Sequence, residues 1–216
     1  MEWSGGSLDP LQRRVLGILA GFEPPFILGG GGALAIYFNH RQTRDLDLFW
    51  EEIDALADVP TLIQQRLRDG GVSTSVVQQT SAFVRLRAFD NVSAINIDLV
   101  ADPTERLERP VLISMDNGEI AAESARDILV NKLCALVGRS ELRDLFDIGT
   151  LISHGISLDE AIEAAPRKDG GFSPLTLAWV LQGLDVRPLM AASGFAAGDV
   201  DRIEQVRMGL IKKLLG

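Results

Sequence analysis

In the segment Asp45–Phe49, DLDLF, acids and leucines alternate one for one, and no other feature of the chain restricts its fold as tightly. A period of two belongs to a β-strand, in which residues i and i+2 project from one face and their neighbours from the other. Leu46 and Leu48 are therefore expected in the core, with Asp45 and Asp47 together on the opposite face. Aspartate is depleted in strands because its short carboxylate competes for backbone hydrogen bonds and resists burial. The arrangement recurs in NIDLV, where Asn96 and Asp98 oppose Ile95, Ile97 and Leu99. If the two strands are neighbours in one sheet, three carboxylates gather in a small area. Taken singly, each acid is explained as a strand-edge residue paired with Arg41, Arg44 or Arg87. Taken together, Asp45, Asp47 and Asp98 favour a divalent cation, and oxygen ligands of this kind suit Mg²⁺ or Mn²⁺.

Upstream, FIL reads as a short buried strand that runs into Gly29, Gly30, Gly31 and Gly32, after which ALAIYF is helical and NHRQTR is a polar connector. Alone, the glycines are a turn. Ahead of the paired acids they suit close approach of a phosphate to backbone N–H groups and to the positive end of a helix. Residues 9–22 carry helical spacing with Asp9 and Pro10 at its start, and 54–69 form an amphipathic helix closed by Gly70-Gly71. VSTSVVQ, AFVRLRAF and SAINIDLV, separated by turn-forming QTS and DN, predict an antiparallel meander. VLISM and EIAA flank an MDNG turn. From Glu123 onward the periodicity is helical to the end. The expected fold class is α+β, with a mixed or antiparallel sheet and its helices in residues 1–120 and a helical domain in 121–216.

Composition narrows the possible activities. A net charge of −9 over 216 residues is at odds with a protein that coats nucleic acid through a broad basic surface, although a local contact with an RNA end survives that argument. The single cysteine, Cys134, excludes an intrachain disulfide; its setting in KLCALVG predicts a buried helix position and no nucleophilic role. The opening MEWSGGSLDP has neither the basic nor the apolar region of a secretory signal, and no apolar run approaches the roughly 20 residues that span a bilayer. A cytoplasmic protein without a membrane partner is expected. His40 belongs to the loop before Asp45, and His154 is read as structural.

The segment LGGGGALAIYFNHRQTRDLDLF resembles the first motif of the AbiEii/AbiGii nucleotidyltransferase toxin family, in the DNA polymerase β-like nucleotidyltransferase superfamily. The matching residues are Gly30, Gly31, Ala33, Leu34, His40, Arg41, Thr43, Asp45, Asp47, Leu48 and Phe49. Gly32 stands where the family usually carries Ser or Thr, so that hydroxyl is missing. DILVNKLCALVGRSELRDLFDIGTL resembles the later motifs through Lys132, Arg139, Arg143, Asp144 and Asp147. Gly138 and Ser140 suit a C-cap and an N-cap, which predicts a bend between two helices presenting Lys132 and Asp144 to one cleft. Arg143 and Asp147, spaced i,i+4, otherwise read as a helix salt bridge.

The resemblance implies transfer of a nucleoside monophosphate from an NTP to an acceptor hydroxyl, with release of pyrophosphate. Asp45, Asp47 and Asp98 would hold Mg²⁺ or Mn²⁺, with Asp98 also helping to deprotonate the acceptor. Gly30, Gly31, Gly32, Arg41, Thr43, Lys132, Arg139 and Arg143 would bind or position the nucleotide, and Asp144 is a catalytic position. It further implies the toxin of a bacterial toxin–antitoxin or abortive-infection pair, with a cognate antitoxin and with tRNA or other RNA as acceptor. Arg85 and Arg87 on one strand face, together with Arg41 and Arg44 of the NHRQTR connector, read either as contacts for RNA phosphates or, individually, as solvated strand charges. Two other readings stay open: a nucleotidyltransferase acting on small molecules, and a binding module that retains the fold without the chemistry. FSPLTLAWVLQGL and the last helix are read as core of the helical domain or as a partner surface.

Overall fold

The computed structural model describes residues 6–193, 195 and 198–216. Residues 1–5, where the absence of a secretory signal was read, and 194, 196 and 197, in the stretch read as helical, lie outside the described residues. The chain divides into two compact units, 1–124 and 125–216. The division falls later than the expected boundary after residue 120, because the last strand of the first unit runs on to Ala122.

The first unit runs α1 (Pro10–Leu19), β1 (Ile27–Gly29), α2 (Gly30–Phe38), β2 (Asp45–Trp50), a 3-10 turn at Ala55–Ala57, α3 (Val59–Asp69), β3 (Ser73–Gln79), β4 (Phe83–Phe89), β5 (Ala94–Ala101), β6 (Val111–Met115) and β7 (Gly118–Ala122). Asp9 caps α1 by accepting from Leu11 N at 2.8 Å, while Gln12 Oε1 accepts from Asp9 N at 2.9 Å, a reciprocal capping box. Among the described residues the strands form one seven-stranded sheet in the order β3-β4-β5-β2-β1-β7-β6. β3, β4 and β5 are the expected antiparallel meander. β2 lies parallel to β5, and β1 lies antiparallel to β2 and parallel to β7, so the sheet is mixed.

The period of two decides which face is buried. Leu46 and Leu48 of β2, Val84 and Leu86 of β4 and Ile97 and Leu99 of β5 are fully buried on one face. α1 and α3 cover it with Val15, Leu16, Leu19, Ile63 and Leu67, and burying each such side chain contributes about 1.5–3 kcal/mol. The opposite face carries Asp45, Asp47, Arg85, Arg87, Asn96 and Asp98.

The second unit comprises α4 (Ala125–Arg139), α5 (Leu142–Ser153), α6 (Leu158–Lys168), α7 (Pro174–Gly183), α8 (Val186–Ser193) and α9 (Asp199–Leu215). Ala161, Ala164 and Ala165 are buried, which lets α6 pack closely on α4. In FSPLTLAWVLQGL, Leu177, Ala178 and Leu181 are core, as the first reading expects, while Leu175 and Trp179 are 70% and 74% exposed. His154 ends α5 with Nδ1 at 2.9 Å from the Thr150 carbonyl. Cys134 is half-buried in α4, near the Ala165 carbonyl; burial, with Asp169 adding, pushes its thiol up to about 11. No described helix is long and apolar enough to cross a membrane.

Candidate active site

Strand register, more than strand sequence, assembles the polar face. β2 and β5 pair so that Asp45 is opposite Asn96 and Asp47 is opposite Asp98. β4 then sets Arg85 opposite Asp98 and Arg87 opposite Asn96. Two rows result, Arg85–Asp98–Asp47 and Arg87–Asn96–Asp45, with side chains on one face and strands about 4.8 Å apart. In the second row Asn96 Nδ2 donates to Asp45 Oδ1 at 3.0 Å, which orients that carboxylate. In the first, Arg85 donates from Nε to Asp98 Oδ1 at 2.7 Å and from Nη2 to Asp98 Oδ2 at 2.6 Å. This is the planar two-point pairing that a guanidinium makes with a carboxylate. The hydrogen bond to Asp98 holds the Arg85 guanidinium above its ordinary range, and the charges of Asp98, Asp45 and Asp47 add to that against the opposing effect of burial.

Two expectations are corrected here. Asp98 reaches the predicted place beside Asp47, but it has a partner that is none of Arg41, Arg44 or Arg87. The three-carboxylate cage for a cation is not formed: among the described residues, no three His, Cys, Asp or Glu side chains are arranged to hold a metal ion. Arg85, read as one of several cations facing RNA, is instead committed to Asp98. For a hard divalent ion, the oxygen donors of Asp45 and Asp47 fit, on one strand face and adjoining the glycines. Asp98 lies opposite Asp47, with each of its oxygens accepting one hydrogen bond from Arg85.

The glycines take up the space beside Asp47. Gly29 pairs with Asp47 in the β1–β2 register, and α2 starts at the next residue without a side-chain cap. Gly30 has φ +55°, and a Cβ there would overlap Asp47 Oδ2. A Cβ on Gly31 would meet Thr43 Oγ1 at 2.8 Å and Arg41 Nη2 at 3.1 Å. At Gly32 it would meet Leu28 Cδ1 at 3.1 Å and Leu46 Cδ2 at 3.4 Å. The side-chain direction of Gly32 is thus into the core, and a hydroxyl there would face leucines and not the acidic rows. What Gly32 retains is its backbone N–H, one of the first-turn donors that a helix cannot satisfy internally. Thr43 Oγ1 donates to the Asp45 carbonyl at 3.1 Å, Gln12 Nε2 donates to the Thr43 carbonyl at 3.2 Å, and Arg41 Nη1 donates to the Gln42 carbonyl at 3.0 Å. These bonds shape the connector that delivers Asp45.

Sequence reasoning missed Glu123. It is 1% exposed, and its Oε2 lies beside Gly29, because β7 pairs with β1. Tyr37 donates its hydroxyl to the Glu123 carbonyl at 2.7 Å, and burial, with the Glu123 charge adding, raises the phenol above its ordinary range. The position of Glu123 just after the EIAA strand was the available signal.

In the helical unit, Lys132 Nζ donates to Asp144 Oδ1 at 2.7 Å and lies 2.9 Å from Asp147 Oδ2. Arg139 donates from Nε to Asp144 Oδ2 at 2.9 Å and from Nη2 to Asp144 Oδ1 at 3.0 Å. Two cations and two anions thus form one balanced cluster. Burial works to lower the Lys132 ammonium, but Asp147 and Asp144 outweigh it and hold it above its ordinary range. Burial likewise raises Asp144, and Lys132 and Arg139 outweigh it and hold its carboxyl low. The expected Arg143–Asp147 salt bridge is not made; Arg143 donates to Glu141 Oε2 at 3.2 and 2.7 Å, and Asp147 points inward to Lys132. The bend after residue 139 is present with different caps. Gly138 lies within α4, Ser140 has φ +49° with its Oγ on the Leu136 carbonyl at 3.2 Å, and Glu141 precedes α5.

Comparison with known proteins agrees with this architecture. No curated protein matches the chain. Among solved structures, JHP933 from Helicobacter pylori superposes with a TM-score of 0.55 at 21% identity, covering 94% of this chain and 90% of that one. The nucleotidyltransferase toxin MenT4 from Mycobacterium tuberculosis superposes with a TM-score of 0.60 at 14% identity, covering 93% and 91%. At these identities the likeness establishes the nucleotidyltransferase fold. A family described as the nucleotidyl transferase AbiEii toxin of a type IV toxin–antitoxin system matches residues 14–201, so the chain belongs to the AbiEii nucleotidyltransferase toxin family.

Proposed function

We propose that this nucleotidyltransferase moves a nucleoside monophosphate from an NTP to a hydroxyl of RNA, with tRNA as the acceptor, and acts in the cytoplasm as a toxin countered by a cognate antitoxin. The observation that carries this reading is the uncapped, glycine-built start of α2 directly beside Asp47 on the acidic face. Backbone N–H groups of Gly30, Gly31 and Gly32 offer donors to triphosphate oxygens, where the positive helix end also favours an anion. Asp45 and Asp47 would hold Mg²⁺ or Mn²⁺, which when bound supplies charge neutralisation to the phosphates. Asn96 keeps Asp45 turned toward that position, Thr43 and Arg41 shape the loop, and Gly30 leaves the room that Asp47 needs. Exposed Arg87, on the same sheet face, is a contact for the acceptor's phosphates.

The family pattern assigns Lys132, Arg139, Arg143 and Asp144 to the nucleotide as well. Of these, Lys132 and Asp144 are enclosed in the ion cluster, and Arg139, which also bonds Asp144, is the member whose side chain is half-exposed. The net charge of −9 favours a second reading, a small acceptor in place of RNA. Incubating the purified chain with each α-labelled NTP and either total tRNA or a panel of hydroxylated small molecules separates the two. Label is expected on tRNA, and label confined to small molecules would refute the RNA acceptor. No label with any nucleotide would leave a binding module.

A further inference from the structure

β4 places two aromatic rings on the polar face, Phe83 and Phe89, one at either end of the acidic rows. The Arg85 guanidinium carbon lies 5.7 Å from the Phe83 ring centroid. Phe89 is 38% exposed, and its neighbours in the register are Ser73 and Ala94, side chains too small to cover a ring. We propose that Phe89 and Arg87 form a nucleotide subsite for the RNA acceptor, with a base stacked on the Phe89 ring and the adjoining phosphate held by the Arg87 guanidinium. The proposal rests on the RNA-acceptor reading and adds where on the sheet that acceptor lies.

An open cavity of about 500 Å³ lies at the β4–β5 hairpin, lined by both side chains and by Asn91, Val92 and Ala94, and its size is within the range of ligand clefts. Phe89 is two residues from Arg87 on one strand face, about 7 Å, which is of the order of the distance from a base to a phosphate beside it. Arg87 belongs to the row that ends at Asp45, two strands and about 10 Å away. An RNA end laid from Phe89 over Arg87 therefore brings its next sugar toward Asp45, and the stacked base is that of the nucleotide before the reacting one. Arg87 is exposed and stands between Ser75 and Asn96, neither of them charged, so the register sets no carboxylate directly alongside it. Asp90, an acid in the cavity lining, is turned to the hairpin and to α1. Its Oδ1 accepts from Val92 N at 2.8 Å and Ser93 N at 2.9 Å, and its Oδ2 lies 3.8 Å from Arg14 Nη1. An exposed ring with a cation beside it is the combination that holds single-stranded nucleic acid, since the ring stacks any base and the cation follows the backbone. The net charge of −9 confines such a contact to a small patch, and two side chains supply one.

The test compares the full chain with Phe89→Leu, Phe89→Trp and Arg87→Gln, each checked for folding by circular dichroism. Transfer from labelled NTP to total tRNA gives the KM of each substrate, and anisotropy of a short fluorescein-labelled single-stranded RNA gives binding. Phe89→Leu should weaken RNA binding and raise the KM for tRNA by roughly 5- to 150-fold, with the KM for NTP unchanged. Arg87→Gln should weaken binding about equally for every RNA sequence and reduce the log–log salt slope by about 0.7. Phe89→Trp should keep the affinity, and the fluorescence it adds should be quenched by RNA; it carries the test with Arg87→Gln if Phe89→Leu does not fold. Unchanged RNA affinity in folded Phe89→Leu or Arg87→Gln, or no quenching in Phe89→Trp, while the wild type labels tRNA, would overturn the subsite and leave the RNA acceptor standing. No RNA bound or labelled by the wild type would overturn the RNA acceptor, and the subsite with it.

Discussion

Replacing Lys132 with methionine keeps the length of the side chain and removes its charge. In the native protein the ammonium lies between Asp144 and Asp147, whose side chains are 1% and 0% exposed. Arg139 still pairs with Asp144 after the substitution, whereas Asp147 loses the ammonium at 2.9 Å. Removing one partner of a buried ion pair costs about 3–5 kcal/mol, because the remaining charge is left uncompensated away from water. For a chain of this size that corresponds to a fall in Tm of about 6–20 °C. Differential scanning calorimetry of Lys132→Met at neutral pH measures it. The pH dependence supplies a second check. Asp144 is held low in the native state, so its stabilising contribution is present above the carboxyl's ordinary value and fades as pH falls through the depressed one. In the variant the ammonium that offsets these acids is gone, and low pH removes the charge it offset, so wild type and variant should converge there. Adding Asp147→Asn to Lys132→Met should recover much of the loss. A fall below about 1 kcal/mol, or a difference that does not shrink in acid, would refute the view that this cluster is a balanced buried unit. If the double variant folds and still transfers no nucleotide, Lys132 has a role toward substrate beyond its role in the fold.

Gly30→Ala should cost about 1–2 kcal/mol for its positive φ alone and should also displace Asp47, so nucleotidyl transfer should fall more than urea-unfolding stability suggests. Gly32→Ser should not tighten nucleotide binding by equilibrium titration, since the new side chain points at Leu28 and Leu46; a clear gain would refute that orientation. Asp45→Ala should abolish transfer from labelled NTP while leaving the circular dichroism spectrum unchanged, and retained activity would remove Asp45 from the site. Cys134, with its thiol pushed up to about 11, should react with iodoacetamide far more slowly at pH 8 in the native chain than in the denatured one, and faster as pH approaches that value.

Much of the fold is legible from local pattern. Alternation in DLDLFW specified β2 from Asp45 to Trp50 and the face each side chain takes, Asp9 and Pro10 marked the start of α1, and short turn signals delimited the meander. These readings succeed because backbone periodicity and capping are settled within a few residues of chain. The acidic pair beside the glycines was legible for the same reason.

Partners across the fold were not legible in this way. That Arg85 closes on Asp98 follows from the β4–β5 register, and a slip of one residue would have sent the arginine to the other face. That Glu123 lies beside Gly29 follows from β1 and β7 pairing in parallel across most of the first unit's length. Asp147 faces Lys132 instead of Arg143 because packing α5 on α4 buries it, and a buried carboxylate takes the cation that is buried with it. Spacing along the chain dictates which groups share a face; which charge meets which depends on strand order, register and helix packing, since electrostatic pairing is decided by distance in space and by exclusion of water.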